Sequence, residues 1–209
     1  MHRLTYLVLT VPLAVGLAGC GSPRPINYYT VHLPAVPAPA SNTYPIDLMV
    51  GRMTGSALLE ATPIVYRNAA SVMGTYAYHR WEEPPVTLVP AKLLRMLRSS
   101  GQYRSVVASG TAADIEFVVR GRLYEFAEVD GPKVGKEVKM TGLVTMEFEL
   151  YNRKVGKIVW THFYSQSEPV EGNQVSSVVG SLERNLDRGL KEVVAGLGQY
   201  FAANPPAKS

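Results

Sequence analysis

The chain has 209 residues with 21 Lys and Arg against 17 Asp and Glu, a formal net charge of +4. The cations are scattered, and no basic block with interleaved aromatics occurs, which argues against nucleic acid as a partner. Cys20 is the single cysteine, so a disulfide within the chain is excluded, and nothing after Ala18 has the length and apolarity of a membrane-crossing helix.

Leu4 to Ala18 is an apolar run with Arg3 ahead of it and no acidic residue, the n-region and h-region of a secretory signal. It ends in Leu17-Ala18-Gly19-Cys20, which resembles a bacterial lipobox. In that motif the cysteine is alkylated by diacylglycerol, the peptide is cut just before it, and the new amine is acylated. Residues 1–19 are therefore expected to be a lipoprotein signal peptide, Cys20 the lipidation site, and 20–25 a lipidated tether. Each buried methylene contributes about 0.8 kcal/mol, so three acyl chains hold a protein on a membrane almost permanently. Gly21 and Ser22 follow the cysteine, and no Asp does. By the sorting rule of enterobacterial lipoproteins, which comes with the lipobox resemblance, this directs the protein to the outer membrane. Cleavage leaves 190 of the 209 residues, enough for one domain with a core. That domain is expected over 26–202, followed by a Pro-broken polar tail at 203–209.

Ile26 to Leu33 reads as a short strand, and the Pro/Ala-rich segment 34–43 as an extended loop that cannot join a ladder. Ile46 to Arg52 is a core strand in which Gly51 marks a bulge or bend. Ile64–Arg67 and Thr75–Trp81 form a hairpin around the polar segment 68–74. A helix follows Pro84-Pro85, carries Leu93, Leu94 and Leu97 inward, and ends near Gly101; Pro90 either starts it or kinks its first turn. Gln102 to Val107 is a short strand. Ile115 to Tyr124 and Val138 to Leu150 alternate apolar and polar residues with period two, the pattern of strands with one wet face. Asn152 to Gly156 turns the chain into a further strand, Lys157–Tyr164, giving an antiparallel meander. From Val175 to Phe201 apolar residues recur at three and four, a long amphipathic helix with Asn173 as its N-cap. The sum is an α+β fold, two helices packed on one face of a mixed, mostly antiparallel sheet.

Chemistry is sparse. His32, His79 and His162 fall on separate strands with no metal-ligand spacing, so no metal site is expected. There is no nucleophile elbow or phosphate-cradling loop, and Glu82-Glu83 suits a helix N-terminus; no residue is assigned as catalytic. The candidates that remain are contact residues, each with a plain structural alternative. Tyr28 and Tyr29 open a strand, where one ring packs and the other sits at the rim. Arg52, Tyr66 and Arg67 could present a fork and a ring to a partner or a lipid phosphate, or be locally paired. Trp81 fits a core anchor at the strand-to-helix corner. On the strand 157–164, alternation puts Trp160 and Tyr164 on one face and Phe163 on the other. Glu128 to Lys136, with Asp130 and Lys133, reads as a projecting loop: a hairpin tip or a contact to a neighbour.

In order, these residues form a pattern: a lipobox, Tyr28-Tyr29-Thr30, Leu48-Met49-Val50-Gly51-Arg52, Ile64-Val65-Tyr66-Arg67, then Tyr78-His79-Arg80-Trp81-Glu82-Glu83-Pro84-Pro85 before a Leu-rich helix. The pattern resembles the ABC-type transport auxiliary lipoprotein family, which includes the third component of the paraquat-inducible transport system. The resemblance implies a domain similar to the N-terminal domain of TolB, anchored to the periplasmic face of the outer membrane. It implies an MCE-domain protein as partner and, through it, an ABC permease and ATPase, with phospholipid or another hydrophobic molecule as cargo. It implies no activity of the chain's own and no cofactor beyond the acyl groups on Cys20. A homo-oligomer matching a hexameric MCE tube is open. So are two other roles, a lipoprotein regulating a cell-wall enzyme and a free-standing lipid carrier.

Overall fold

The computed structural model describes residues 24–32, 44–110, 114–134 and 137–205, the side chains of 132–134 and 137–138 excepted. The expected signal peptide, Cys20, most of the tether and the Pro/Ala-rich loop fall outside these residues.

The period-two segments form a long meander of β6 (Phe117–Val134), β7 (Glu137–Asn152) and β8 (Lys157–Pro169), antiparallel throughout. β6 is the spine of the eight-stranded sheet. β7 lies along one of its edges, and the other edge is shared end to end by two strands. β2 (Tyr44–Thr54) runs parallel against Phe117–Arg122, and β3 (Pro63–Arg67) runs parallel against Ala127–Val129. The chain between β2 and β3 leaves the ladder and drives Leu59 into the core, where it is buried. Beyond this fork, β5 (Tyr103–Ala108) pairs parallel with β2. On the other branch, β4 (Met73–Trp81) pairs antiparallel with β3, and β1 (Asn27–Tyr29) pairs parallel with β4. The sheet is mixed, and the length of the meander makes antiparallel pairing dominant. The register of β2 against β6 shifts between Val50 and Met53, so Gly51 does sit in a bulge, which turns Met53 toward the same core as Leu48 and Val50.

α1 (Pro85–Ser99) and α2 (Val175–Ala203) cover one face, and their apolar stripes close a single core with Leu48, Trp81, Leu123, Phe126, Met146 and Phe148. The two helices on one face agree with the amphipathic periods in the sequence. Three details differ from the reading above. α1 begins at Pro85 and runs through Pro90, which lies inside it; Pro90 has no N–H, so the Val86 carbonyl one turn earlier loses its helical donor. The N-cap of α2 is Gln174, in extended conformation with no side-chain cap bond, and not Asn173. Glu128 to Val134 is strand and not a projecting loop. The ladder passes Gly131-Pro132 through an irregularity between Asp130 and Lys133, because a bulge spares Pro the bond it cannot donate. A Cβ at Gly131 would stand 2.6 Å from the Lys139 carbonyl oxygen, so only glycine allows that approach.

α2 is held by polar bonds as well as apolar contact. Asn185 is fully buried; its Nδ2 donates to the carbonyls of Gly142 (2.9 Å) and Gln166 (2.6 Å), and its Oδ1 accepts from the Tyr164 hydroxyl at 2.6 Å. One turn earlier, Ser181 Oγ donates to the Glu168 carbonyl and accepts the Gly142 N–H. These bonds satisfy groups that burial would otherwise leave unpaired.

Candidate functional site

Two surface features bring chemistry together. The first is on the face of the sheet that the helices leave uncovered. Arg120 and Arg122 stand two residues apart on β6, opposite Glu149 and Glu147 of β7 in the register, and Arg52 reaches them from β2. Together with Thr54, Gly121 and Tyr124 they line a hollow of about 370 Å³. Arg120 Nε donates to Glu149 Oε2 at 2.9 Å, and its guanidinium lies 4.9 Å from the Tyr151 ring centroid. Tyr124 donates to Glu147 at 2.8 Å, and Arg122 sits over the Tyr124 ring. The Glu147 carboxylate beside it raises the Tyr124 pKa. Among the described residues Arg52 has neither an ion pair nor a side-chain hydrogen bond, so its guanidinium keeps its full donor set.

The second is a groove of about 450 Å³ where α1 crosses the ends of β2 and β5, lined by Val50, Met53, Val86, Pro90, Leu94 and Ala108 among others. It is predominantly apolar and open to solvent. Arg52 belongs to its lining as well as to that of the arginine hollow, so one unpaired cation joins an apolar groove to a charged one.

A third cluster is internal. Glu128 is 5 % exposed and accepts from the Tyr76 hydroxyl at 2.7 Å. Burial, reinforced by the Asp130 charge, pushes the Glu128 carboxyl above its ordinary pKa, while the Tyr76 bond acts in the opposite direction. Tyr76 is itself raised, first by burial and then by the bond to Glu128. Tyr66 and His79 pack edge-on against the Tyr76 ring, and Tyr29 shares a hydrogen bond with His79 Nδ1 at 2.9 Å. Among the described residues, no group of three His, Cys, Asp or Glu could hold a metal ion.

A model of the family described as ABC-type transport auxiliary lipoprotein component matches residues 29–194. The chain belongs to that family. It is a family of auxiliary lipoproteins of transport systems. No curated protein matches the sequence of this auxiliary lipoprotein. Among solved structures it is similar to protein XCC0632 from Xanthomonas campestris, with 13% identity, a TM-score of 0.74, and coverage of 85% of this chain and 98% of that one. It is also similar to an uncharacterized protein, at 14% identity and a TM-score of 0.64 over 83% of this chain and 99% of that one. A third likeness is to the hypothetical protein CT253 from Chlamydia trachomatis, at 12% identity and a TM-score of 0.50 over 77% and 99% of the two chains. At these identities the likeness is one of fold.

The auxiliary lipoprotein does not gather its sequence candidates into one place. Arg52 enters the two surface features; Arg67 is paired with Glu125 at 3.2 Å. Tyr66 is part of the internal cluster, where its ring fills the space a Cβ on Gly74 would take, at 2.5 Å. Trp81 is fully buried with its ring centroid 5.2 Å from that of Phe126. Tyr29 packs inward, whereas Tyr28 is 65 % exposed. Trp160 lies against Gly196 of α2 and Tyr164 bonds Asn185, while Phe163, 61 % exposed, meets Tyr124 on the uncovered face. Asp130 lies at the β6–β7 bulge, half-buried, and Lys133 is paired through its backbone with Val138. Arg120 and Arg122 were not singled out in the sequence. The signal was present as like charges two apart on one strand with opposite charges two apart on the next.

Proposed function

We propose that this chain is the lipid-anchored periplasmic subunit of an ABC/MCE-type system that moves lipid or another hydrophobic compound between membranes, and that it docks the transporter at the outer membrane. The observation that carries the reading is the family match across residues 29–194, which takes in β2 to β8, the whole of α1 and most of α2. The lipobox ending at Cys20 supplies the anchor, and Gly21-Ser22 the outer-membrane address. The work assigned to the chain is binding and positioning; ATP is hydrolysed by the partner ATPase, and no catalytic residue is assigned. Arg52, with the apolar groove on one side and Arg120 and Arg122 on the other, is the surface best suited to a partner that presents both apolar and acidic groups. β5 and β8 each have a sheet neighbour on one side only, which accommodates further copies beside a ring-shaped MCE partner.

The test is affinity purification of the full-length protein from native membranes in mild detergent, with partners identified by mass spectrometry. Recovery of an MCE-domain protein with its permease and ATPase is the expected result. Recovery of cell-wall enzymes alone would replace the transport reading with a regulatory one. A lone chain carrying lipid would point to a carrier.

A further inference from the structure

We propose that the β1–β4 edge and the β3–β4 hairpin tip rest on the surface of the membrane that holds the acyl anchor; this builds on the reading of Cys20 as acylated. The exposed large hydrophobic side chains among the described residues are not spread evenly. Ile26, Tyr28, Val72, Met73 and Tyr78 lie on β1 or just ahead of it, on β4 and at the tip that joins β3 to β4; the other four are Tyr124, Phe163, Val155 and Ile158. Tyr124 and Phe163 face each other on the uncovered sheet face. Val155 lies in the β7–β8 turn and Ile158 just after it, at the end of the sheet away from the β3–β4 tip, because β3 runs parallel to β6 and β7 runs back. One edge therefore carries five of the nine large apolar side chains that no described residue covers.

The pairing of β1 connects that edge to the anchor. β1 is parallel to β4 with Asn27 beside His79 and Tyr28 beside Arg80. Traced backward from Asn27, the chain runs alongside β4 toward Met73 and the hairpin tip, and the Arg24 guanidinium, 5.8 Å from the Tyr78 ring centroid, keeps it on that course. From Asn27 to Cys20 the chain spans at most about 25 Å, close to the about 20 Å from His79 back to Met73 along a strand. Because residues 24–26 already run toward the tip, the four residues from Arg24 to Cys20, about 14 Å at most, keep an acylated Cys20 nearer this edge than the opposite end of the sheet. The side chains suit that position. Tyrosine rings with a polar tip partition to the headgroup region, Val72 and Met73 are apolar and exposed among the described residues, and Arg24 brings a guanidinium to the level of lipid phosphates.

The test uses the full-length protein in vesicles of phosphatidylethanolamine and phosphatidylglycerol. With the Cys20 thiol consumed by acylation, each of the variants Met73→Cys, Tyr78→Cys and Val155→Cys offers one thiol for an environment-sensitive fluorophore. Spin-labelled lipids are expected to quench the probe at positions 73 and 78 and to leave 155 unchanged. Equal quenching at all three, or quenching at 155 alone, overturns the proposal. So does blue-shifted but unquenched emission at 73 and 78, which would mean that a protein surface covers this edge. Mass analysis of the N-terminal peptide from the same sample separates the two readings. An unacylated Cys20 removes the anchor and the proposal with it, whereas an acylated Cys20 with unquenched probes at 73 and 78 overturns the membrane contact alone.

Discussion

At the scale of single residues, the buried polar groups give the sharpest expectations. Asn185 satisfies two strand carbonyls and the Tyr164 hydroxyl from inside the core. Asn185→Ala strands the two strand carbonyls, whereas the Tyr164 hydroxyl keeps the backbone carbonyl of residue 185 at 3.1 Å, and the loss is expected to be roughly 3 kcal/mol, since each orphaned buried group costs about 1–3 kcal/mol and the cavity adds to it. Chemical denaturation of the variant beside the wild type measures this. Glu128 makes a pH-dependent contribution of the opposite kind. Its pKa is raised in the fold, so between its ordinary value near 4.5 and the folded value the native state holds the proton more firmly than the unfolded chain does. Stability therefore falls as pH rises through that window and levels off above it. Glu128→Gln keeps an oxygen for the Tyr76 hydroxyl and removes the charge. Its advantage in melting temperature over the wild type is expected to be larger at pH 7.5 than at pH 4. Equal differences at the two pH values would mean that Glu128 ionises without a burial cost.

Among the elements, what could be read from the sequence was what is local. The alternation in 115–124 and 138–150 and the apolar stripe of 175–201 located β6, β7 and α2, because a strand with one wet face and a helix on a core each impress their period on the chain. Gly51 announced its bulge. The fork in the sheet left no such trace: β2 and β3 share one edge of β6 because the chain between them loops out around Leu59, and register against a distant strand is not a local property. Gly131-Pro132 reads as a turn by every local rule, yet the pair sits in a bulge. Arg52 was visible as a candidate, but its meeting with Arg120 and Arg122 depends on the β2–β6 register. The glycines of α2 show the same contrast and can be tested against each other. At Gly180 a Cβ would meet only Arg184 Nη1 at 3.6 Å, whereas at Gly189 it would meet Met146 Cε at 2.4 Å and the Tyr164 ring at 2.9 Å. The methionine can yield, but the ring is tethered through its hydroxyl to Asn185. Gly180→Ala is expected to stabilise by about 1 kcal/mol, the ordinary gain in helix propensity. Gly189→Ala should destabilise despite the same gain, and thermal melts of the two variants decide it.

For the whole molecule, the decisive asymmetry is between a face covered by two helices, a face left charged, and an edge from which the tether departs. No helix among the described residues is long and apolar enough to cross a membrane, and the anchor proposed above is Cys20, ahead of β1. Two substitutions there separate attachment from address. Cys20→Ala, made behind a secretory leader that is cut without lipidation in place of residues 1–19, removes the sulfur that diacylglycerol must alkylate, and with it all three acyl chains; one chain alone gives only marginal binding, so loss of all of them is expected to move the protein from the membrane pellet to the periplasmic fraction. Gly21→Asp leaves the thioether chemistry intact and changes the sorting position. Density-gradient separation of the two membranes should then find the acylated protein shifted from the outer to the inner membrane. Neither change touches the packed body, so circular dichroism and melting temperature should match the wild type and exclude unfolding as the cause. A wild-type protein already confined to the inner membrane would refute the outer-membrane address while leaving the anchor in place. A Cys20→Ala protein that had lost its leader and still pelleted with membranes would show that the body, through its own apolar edge or a partner, holds on without the lipid.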